Sequence, residues 1–485
     1  MKPDNKINSS EETDKQTEIE LSKDHIISQF HNCSDLTHRK FTNTSLELLY
    51  FKNMIDEQIL DRHIISKIRD LSENQIESLI TQLDTKKISS NKEGVKEVLN
   101  GNIVIFYKCE AFTIVATSSE TRTIEESETE SIILGPHVAF IESSDKNISL
   151  IRKRVKSSHL KSIVLSVGEI SKTNVTIMYI EDIVNVEFVE LLKERINSIE
   201  VQGVLDTNVL VQLMDDNPYS PFPQFFVTER PDVVASKLFA GKVIGIVDES
   251  PYVFCSPSSF FDFMQSPDDY NQRWITSTFI RLLRYLALFI TLTFSAFYVG
   301  ILTYHYEMIP QKLLPSIIES RSKVPFPPIY EALFLEFVIE FLREAGARLP
   351  TKIGQTIGIV GGIVIGQAAV EAGITSNILI IVVATSAIAS FVIPSYLMSG
   401  SIRIIRFCFI LIAALWGNIG LAFGMGLFII HINGITNLKA PYFIPVSPTY
   451  LGDWIDTIIR APFSFIKERP VQSRSKNKDI NKMKK

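Results

Sequence analysis

The chain of 485 residues carries 49 Lys and Arg against 54 Asp and Glu, which gives a formal net charge of −5. This mild and widely spread acidity excludes the basic surface of a nucleic-acid-binding protein. The histidines stand singly and the four cysteines lack CxxC spacing, which argues against a metal site and against a disulfide scaffold; the cysteines are Cys33, Cys109, Cys255 and Cys408. No catalytic triad or phosphate loop emerges, so we expect no enzyme and no cofactor.

The first part of the chain is predicted to be cytoplasmic, because it begins without an apolar signal peptide. Residues 1–40 are polar and acidic and should form a disordered tail. A first α/β subdomain is predicted over 41–150. Its helical periodicities lie in SLELLYFKNMIDEQIL and in SENQIESLITQL, where Ser72 is a plausible N-cap. The β-branched runs Asn102–Tyr107 and Ala111–Ala116 should pair as a hairpin.

A second α/β subdomain is predicted over 151–275, with the boundary between the two near residues 140–160. Its strands and helices follow the same periodicities. The expected strands are Leu160–Val167, Val175–Ile180, Lys242–Val247 and Val253–Cys255, and the expected helices are Val186–Ile199 and Val233–Phe239.

An α-helical polytopic membrane domain is predicted over 280–432, because four apolar runs there approach the roughly 20 residues that cross a hydrocarbon core. The remaining segment, 433–485, ends in a basic tail, which the positive-inside rule assigns to the cytoplasmic side. The four predicted spans are Tyr285–Tyr304, Ile353–Val370, a run centred on Ile378–Leu397, and Phe407–Ile430.

The second span contains a ladder of glycines one helical turn apart: Gly354, Gly358, Gly362 and Gly366. Such a stripe lets another helix approach closely in lipid, and it could also line a narrow passage. Gln367 projects from the same helix. Close helix packing and a passage both stay open at this stage.

An amphipathic helix embedded in the membrane is predicted over 329–345, between the first and second spans. It carries Glu336, Glu340 and Glu344 four residues apart, although such carboxylates repel one another on an isolated helix. Three interpretations stay open. The glutamates could face water beside Arg343 or Arg348, form acidic rings around a pore in an oligomer with Glu340 as first candidate, or form salt bridges between subunits.

The number of membrane crossings is not fixed by these runs. Four spans plus the embedded helix put both termini inside, but they leave Arg403 and Arg406 in an outside loop, against the charge rule. If the acidic helix also crosses, the basic tail falls outside. A break in the glycine-rich segment 417–426 would change the number of crossings by one and return the basic tail to the inside.

In the cytoplasmic part, Glu229, Arg230 and Asp232 form a charged group around Pro231. A structural role as N-cap and salt bridge is one interpretation, and a contact between subunits is the other.

Several blocks of this sequence resemble the A subunits of bacterial spore germination receptors, the GerA family. The resemblance covers roughly residues 45–465, and it departs from the family at Glu249, where glycine is usual. The matching blocks are Gly203–Asp206, Pro221–Gln224, Thr228–Asp232, Ser250–Pro251, Ser266–Tyr270, Arg281–Arg284, Pro325–Pro327, Leu342–Gly346, Arg348–Pro350 and Ile359–Gly362.

The resemblance implies a subunit of a nutrient-germinant receptor in the spore inner membrane. It implies a permease-like B subunit and a lipoprotein C subunit as partners, and a homo-oligomer that forms a nutrient-gated ion channel. A secondary transporter and a membrane-anchored signalling scaffold or enzyme are the alternatives. Two observations argue against the transporter: the chain has too few predicted spans, and its two halves show no visible repeat.

Overall fold

The computed structural model describes residues 21–41, 44–69, 75–83, 85–116, 127, 130, 132–350, 362 and 364–480. The chain divides into two compact units. The first draws on 1–126, 138–207 and 229–253, and the second on 127–137, 208–228 and 254–485. The predicted fold class is confirmed, with an α/β N-terminal region containing two sheets and a helical C-terminal region.

The first sheet has five strands in the order β1-β2-β4-β5-β3, and every neighbouring pair is antiparallel. The predicted hairpin is confirmed, since Tyr107 lies opposite Glu110 across the β4–β5 turn. The strands are β1 Leu36–Lys40, β2 Leu46–Phe51, β3 Thr85–Lys87, β4 Ile103–Tyr107 and β5 Glu110–Ile114.

Both faces of this sheet are buried, and this explains one wrong prediction. The helix expected from residue 45 is the strand β2, whose alternate side chains enter two separate apolar clusters: Leu48 on one face and Leu49 on the other. A short, nearly continuous apolar run fits a doubly buried strand as well as a helix. Ser72 lies outside the described residues. The helices are α1 Lys23–Gln29, α2 Glu57–Ile59, α3 Ser66–Arg69, α4 Ile76–Gln82 and α5 Asn91–Leu99, with a π-helical stretch Leu60–Ile65. α1 and β1 lie within the predicted disordered tail 1–40, so that prediction is wrong over 23–29 and 36–40.

The second sheet confirms the strands and helices predicted for the second subdomain. In the first unit, β6, β7 and β9 are neighbours in that order and pair antiparallel. Asn185 caps the following helix, where its side chain accepts a hydrogen bond from the Glu187 amide at 3.1 Å. The elements are α6 Ser144–Arg154, β6 Leu160–Val167, β7 Thr173–Ile180, α7 Val186–Asn197, α8 Thr207–Met214, β8 Phe226–Thr228, α9 Pro231–Phe239, β9 Val243–Val247 and β10 Val253–Ser256.

The second unit is built on long apolar helices. Two of those in the described residues, α11 and α15, are long and apolar enough to cross a membrane, and α14 is a shorter apolar helix. Residues 364–371 are also helical. The elements are α10 Asp268–Asn271, α11 Trp274–Tyr304, α12 Leu314–Arg321, α13 Pro328–Arg348, α14 Asn377–Phe391, α15 Tyr396–Gly434, β11 Thr436–Asn437, β12 Ala440–Pro441 and α16 Trp454–Thr457.

The run predicted as the third span is divided between two helices. α14 ends at Phe391, three residues before Pro394, and Leu397 already belongs to α15. Proline disfavours a helical conformation in the residue before it, so the helix ends here although the sequence stays uncharged.

The run predicted as the fourth span, Phe407–Ile430, is a helical hairpin. Gly417 has φ 62° and ψ −148°, outside the helical region. The rings of Phe409 and Phe428 lie 6.2 Å apart, whereas nineteen residues of straight helix would separate them by about 28 Å. The chain therefore reverses at Gly417, and α15 consists of a first arm, 396–416, and a second arm, 418–434.

The long helices of the second unit run in two opposite directions. α14 is antiparallel to α11, α13 is parallel to α14, and the first arm is antiparallel to α14. These directions follow from contacts at two levels of each pair: Tyr298 with Ser376 and Thr291 with Ser386, then Glu331 with Ser376 and Arg343 with Ser390, then Ser399 with Ser390 and Arg406 with Ser386.

Candidate functional site: ion pairs buried between apolar helices

Glu336 of α13 is held by two other helices of the second unit. Its carboxylate lies 2.8 Å from Arg406 Nη2 of the first arm, and both side chains are 0% exposed. The Ser295 hydroxyl of α11 donates to the other carboxylate oxygen at 2.7 Å. An ion pair this deep is stable only because each charge has its partner in place.

Glu340, one helical turn further along α13, contacts three arginines. Its carboxylate accepts hydrogen bonds from Arg403 at 2.7 Å, Arg406 at 3.0 Å and Arg343 at 3.4 Å. Arg343 also donates to the Ser390 hydroxyl of α14 at 2.7 Å. Three helices are thus joined at one level by charged groups.

The ion-pair cluster, consisting of Glu336, Glu340, Arg343, Arg403 and Arg406, carries two carboxylates and three guanidinium groups. This corrects the expectation that Arg403 and Arg406 lie in an outside loop. The first arm begins at Tyr396, so both arginines are helical, and their charges are compensated inside the protein. In the sequence, two arginines in an otherwise uncharged apolar run indicate that such partners exist, because charged residues in apolar segments almost always pair inside the protein.

Glu344, the third glutamate of α13, lies apart from this cluster. Its side chain is 60% exposed and pairs with Arg348 at 2.6 Å. The two arginine partners expected from sequence, Arg343 and Arg348, are therefore found on Glu340 and Glu344 respectively. A pore-lining role and a role between subunits stay predictions for all three glutamates.

The glycine ladder is described only in part, since Gly354 and Gly358 lie outside the described residues. Among the described residues, no heavy atom would lie within 4 Å of a Cβ added at Gly362 or Gly366. Gln367 donates to the Glu371 carboxylate at 2.9 Å on the same helix. The chain thus leaves open space beside the described part of the ladder, and what covers it stays a prediction.

The charged group in the first unit lies where α9 begins. Arg230 is fully buried and pairs with Asp232 at 2.9 Å. The backbone carbonyl of Glu229 accepts from the Phe140 amide at 2.7 Å. Arg230 occupies the N-cap position but makes no capping hydrogen bond with its side chain. A contact of this group with another subunit stays a prediction.

A second buried charge group, missed by the sequence interpretation, fixes the first turns of α11. The Arg284 guanidinium donates two hydrogen bonds of 2.7 Å to the Asp269 carboxylate, and Arg281 donates a third at 3.1 Å. The Tyr270 phenol donates to Asp456 at 3.0 Å. Burial raises the pKa of Tyr270 well above its usual range, so the phenol stays protonated as a donor.

Among the described residues no group of three or more His, Cys, Asp or Glu is placed to hold a metal ion. What the described part of the second unit does contain is charged groups paired between apolar helices. Charges of this kind inside membrane segments mark ion or substrate pathways.

Comparison with known proteins places the chain in a family. Residues 24–472 match the profile described as the Bacillus/Clostridium GerA spore germination protein. The chain is 44% identical to spore germination protein GerQA of Bacillus cereus, over 90% of this chain and 89% of that protein. It is 41% identical to spore germination protein A1 of Bacillus subtilis (strain 168), over 88% of this chain and 89% of that protein.

A crystal structure of the N-terminal domain of the A subunit of the Bacillus megaterium spore germinant receptor GerK3 aligns with a TM-score of 0.38 at 23% identity. The alignment covers 49% of this chain and 93% of that domain. The match over 24–472 and the two relatives, each aligned over most of its length, establish the family. The chain belongs to the GerA family of spore germination proteins.

Proposed function

We propose that this chain is the polytopic A-type subunit of a nutrient-germinant receptor that triggers spore germination from the spore inner membrane. The match to spore germination proteins along nearly the whole chain carries this proposal. The receptor would also contain a permease-like B subunit that binds the nutrient and a lipoprotein C subunit.

α11 and the first arm run in one direction and α13 and α14 in the other, which supports a multi-pass arrangement; we place both termini on the cytoplasmic side. α11 would cross outward and α13 back, the chain would return outward between the parallel helices α13 and α14, and α14 would cross back. The first and second arms of α15 would then cross outward and back again. This order keeps the basic tail inside, in agreement with the positive-inside rule.

In the same proposal, several copies of the chain surround an ion-conducting pore that opens when nutrient binds to the receptor. Open space beside Gly362 and Gly366 leaves room for a neighbouring helix from another copy. Of the three glutamates of α13, Glu344 supports a pore-lining role best. It is 60% exposed, whereas Glu336 and Glu340 are compensated by arginines of the same chain.

The receptor role is tested in spores whose other receptors of this family are deleted. Loss of optical density after addition of a nutrient mixture reports germination. We expect spores lacking this chain to stay dormant and spores carrying a restored copy to respond. Normal germination without the chain would overturn the proposed role.

The channel is tested separately, with the receptor and its partner subunits reconstituted in planar bilayers and nutrient added. A channel gives steady conductance, whereas a secondary transporter gives flux coupled to its substrate. Glu344→Gln should shift the reversal potential toward lower cation preference, because fixed charge in a constriction selects counter-ions. The matched control is Glu307→Gln, at an exposed residue beyond the end of α11. An unchanged reversal potential for Glu344→Gln would remove this residue from the pore.

A further inference from the structure

An apolar groove lies beside the first turns of α11. The segment 454–465 packs against this helix, where the Thr278 hydroxyl donates to the Arg460 carbonyl at 3.0 Å and the Tyr285 hydroxyl donates to the Thr457 carbonyl at 2.8 Å. The groove between them has a volume of about 500 Å³ and only apolar side chains line it, among them Trp274, Trp454, Ile455, Ile459, Pro462 and Phe465.

The groove is open, and its apolar surface faces outward. Trp274 is 44% exposed and Phe465 is 53% exposed. Trp274, which lines the groove, is the first residue of α11, a helix long and apolar enough to cross a membrane. Two tryptophans at the end of such a helix are typical of the level where lipid headgroups meet acyl chains.

Cationic side chains lie beside the groove, together with the carboxylates of Asp453, Asp456 and Glu468. Arg460 is 2% exposed, and it forms no ion pair with a carboxylate among the described residues. Its guanidinium lies 4.0 Å from the centre of the Phe463 ring and donates to the Ala461 carbonyl at 2.8 Å, and Ala461 is itself part of the groove. The nearby Asp269 and Asp456 are already paired with arginines of α11. In the described part of the chain, Arg460 is thus held by aromatic rings and a carbonyl and has no carboxylate within ion-pair distance.

Two exposed cations flank the same groove. Arg273 precedes Trp274, and Lys467 follows Phe465 by two residues. In the described part of the chain, neither side chain has a carboxylate within ion-pair distance. Exposed basic groups beside an apolar, membrane-level surface attract the phosphate of an anionic headgroup.

We propose that this groove binds an anionic phospholipid of the cytoplasmic leaflet. The acyl chain lies between Trp274 and Trp454, and the headgroup phosphate pairs with Arg273 and Lys467, while the buried charge of Arg460 raises the positive potential at this end of α11. The proposal rests on the membrane placement in the proposed function and is independent of the channel.

The test uses the full chain in lipid nanodiscs and the fluorescence of single tryptophans, of which the chain has three. Trp274→Phe with Trp416→Phe leaves Trp454 as reporter, and Trp274→Phe with Trp454→Phe leaves Trp416, 58% exposed at the α15 turn, as control. Phosphatidylglycerol or phosphatidylcholine with brominated acyl chains is titrated into unlabelled phosphatidylcholine.

We expect Trp454 to be half-quenched at a mole fraction of brominated phosphatidylglycerol about tenfold lower than that of brominated phosphatidylcholine. Trp416 should respond to both lipids equally. Combining Arg273→Gln with Lys467→Gln should abolish the preference at Trp454. The control combines Lys312→Gln with Lys323→Gln. It removes the same charge near the other end of α11 and should leave the lipid preference at Trp454 unchanged.

Equal quenching of Trp454 by both lipids would mean that ordinary bilayer lipid covers the groove, and it would overturn the proposal while leaving the proposed function intact. Quenching of Trp416 without quenching of Trp454 would show that protein covers the groove, with the same consequence. Absence of quenching at both positions would instead refute the membrane placement itself. Phospholipid that stays bound to the delipidated wild-type chain, quantified by native mass spectrometry, checks the result without any substitution.

Discussion

Arg406 shows how a charge is accommodated among apolar helices. Its guanidinium is 0% exposed and contacts Glu336, Glu340 and the Ser386 hydroxyl, which come from two neighbouring helices. Desolvating a guanidinium and a carboxylate is costly, and the attraction between them repays this only with good geometry. The value of the pair thus lies less in net stability than in fixing which residues of α13 and the first arm face each other.

Replacing Arg406 should therefore destabilise the folded chain. We expect Arg406→Gln to lower the free energy of unfolding by about 3–5 kcal/mol, because Glu336 would stay buried without a cation. Unfolding of the purified chain in detergent, followed by circular dichroism, measures this loss. Adding Glu336→Gln to Arg406→Gln should recover part of it, because the second change removes the unpaired charge.

The control is the exposed pair on the same helix. Glu344→Gln should cost less than about 1 kcal/mol, since its contact with Arg348 is largely in solvent. Similar losses for Arg406→Gln and Glu344→Gln would contradict the assignment of a tightly coupled buried cluster.

At the scale of elements, the hairpin of α15 depends on glycine at two places. Gly417 takes the positive φ that turns the chain. Gly420 lies where the second arm meets the first, and a Cβ there would come within 2.7 Å of the Ile412 carbonyl oxygen. The two arms touch backbone to backbone because no side chain separates them.

We expect Gly420→Ala to destabilise the hairpin by about 1–3 kcal/mol, as overpacking of a filled interior does. Gly426→Ala, in the same arm, should be nearly neutral because a Cβ there meets nothing within 4 Å. The melting temperature of the purified chain in detergent compares the two variants. Equal melting temperatures would argue against the close contact of the arms.

These elements also show how far the sequence could be interpreted. β6 alternates in part between buried and exposed positions, and β7 is a mostly buried run rich in β-branched residues. The helix α7 has an N-cap and the helix α9 an N-terminal proline. These patterns made the four elements predictable. The sequence of β2 resembles that of a helix because burial on both faces of the sheet removes the alternation of apolar and polar residues that identifies a strand. In the sequence, only the glycines indicate the α15 hairpin, since both arms are apolar and the turn carries no charge.

The sequence singles out the acidic side chains of the ion-pair cluster and one nearby partner, Arg343. Glu336 and Glu340 stand out because four-apart carboxylates repel, but Arg403 and Arg406 lie about 65 positions later in the chain. Such a pairing depends on which helices are neighbours and on their direction. Sequence spacing does not contain that information, although the arginines in the apolar run indicated that partners exist.

At the scale of the whole molecule, association of several copies is the first property to test. We expect Gly362→Leu to leave the fold of the single chain intact, since nothing lies within 4 Å of the added Cβ, but to reduce self-association. Crosslinking in native membranes measures the oligomer. Ile365→Leu, nearby on the same helix, keeps the side-chain volume and should associate normally. A stable oligomer in Gly362→Leu would show that this stripe is not the contact.

The arrangement of the helices in the membrane gives the final prediction. With α13 crossing and α15 folded as a hairpin, the start of the first arm lies on the cytoplasmic side, whereas four spans with an embedded acidic helix would put it outside. Tyr396, 67% exposed at this point, decides between them. In a background with the four native cysteines replaced by serine, Lys312→Cys and Lys476→Cys mark the outer and inner sides. We expect a membrane-impermeant maleimide to label Lys312→Cys in intact protoplasts, and to label Tyr396→Cys and Lys476→Cys only after permeabilisation. Labelling of Tyr396→Cys in intact protoplasts would show that α13 stays in one leaflet and does not cross.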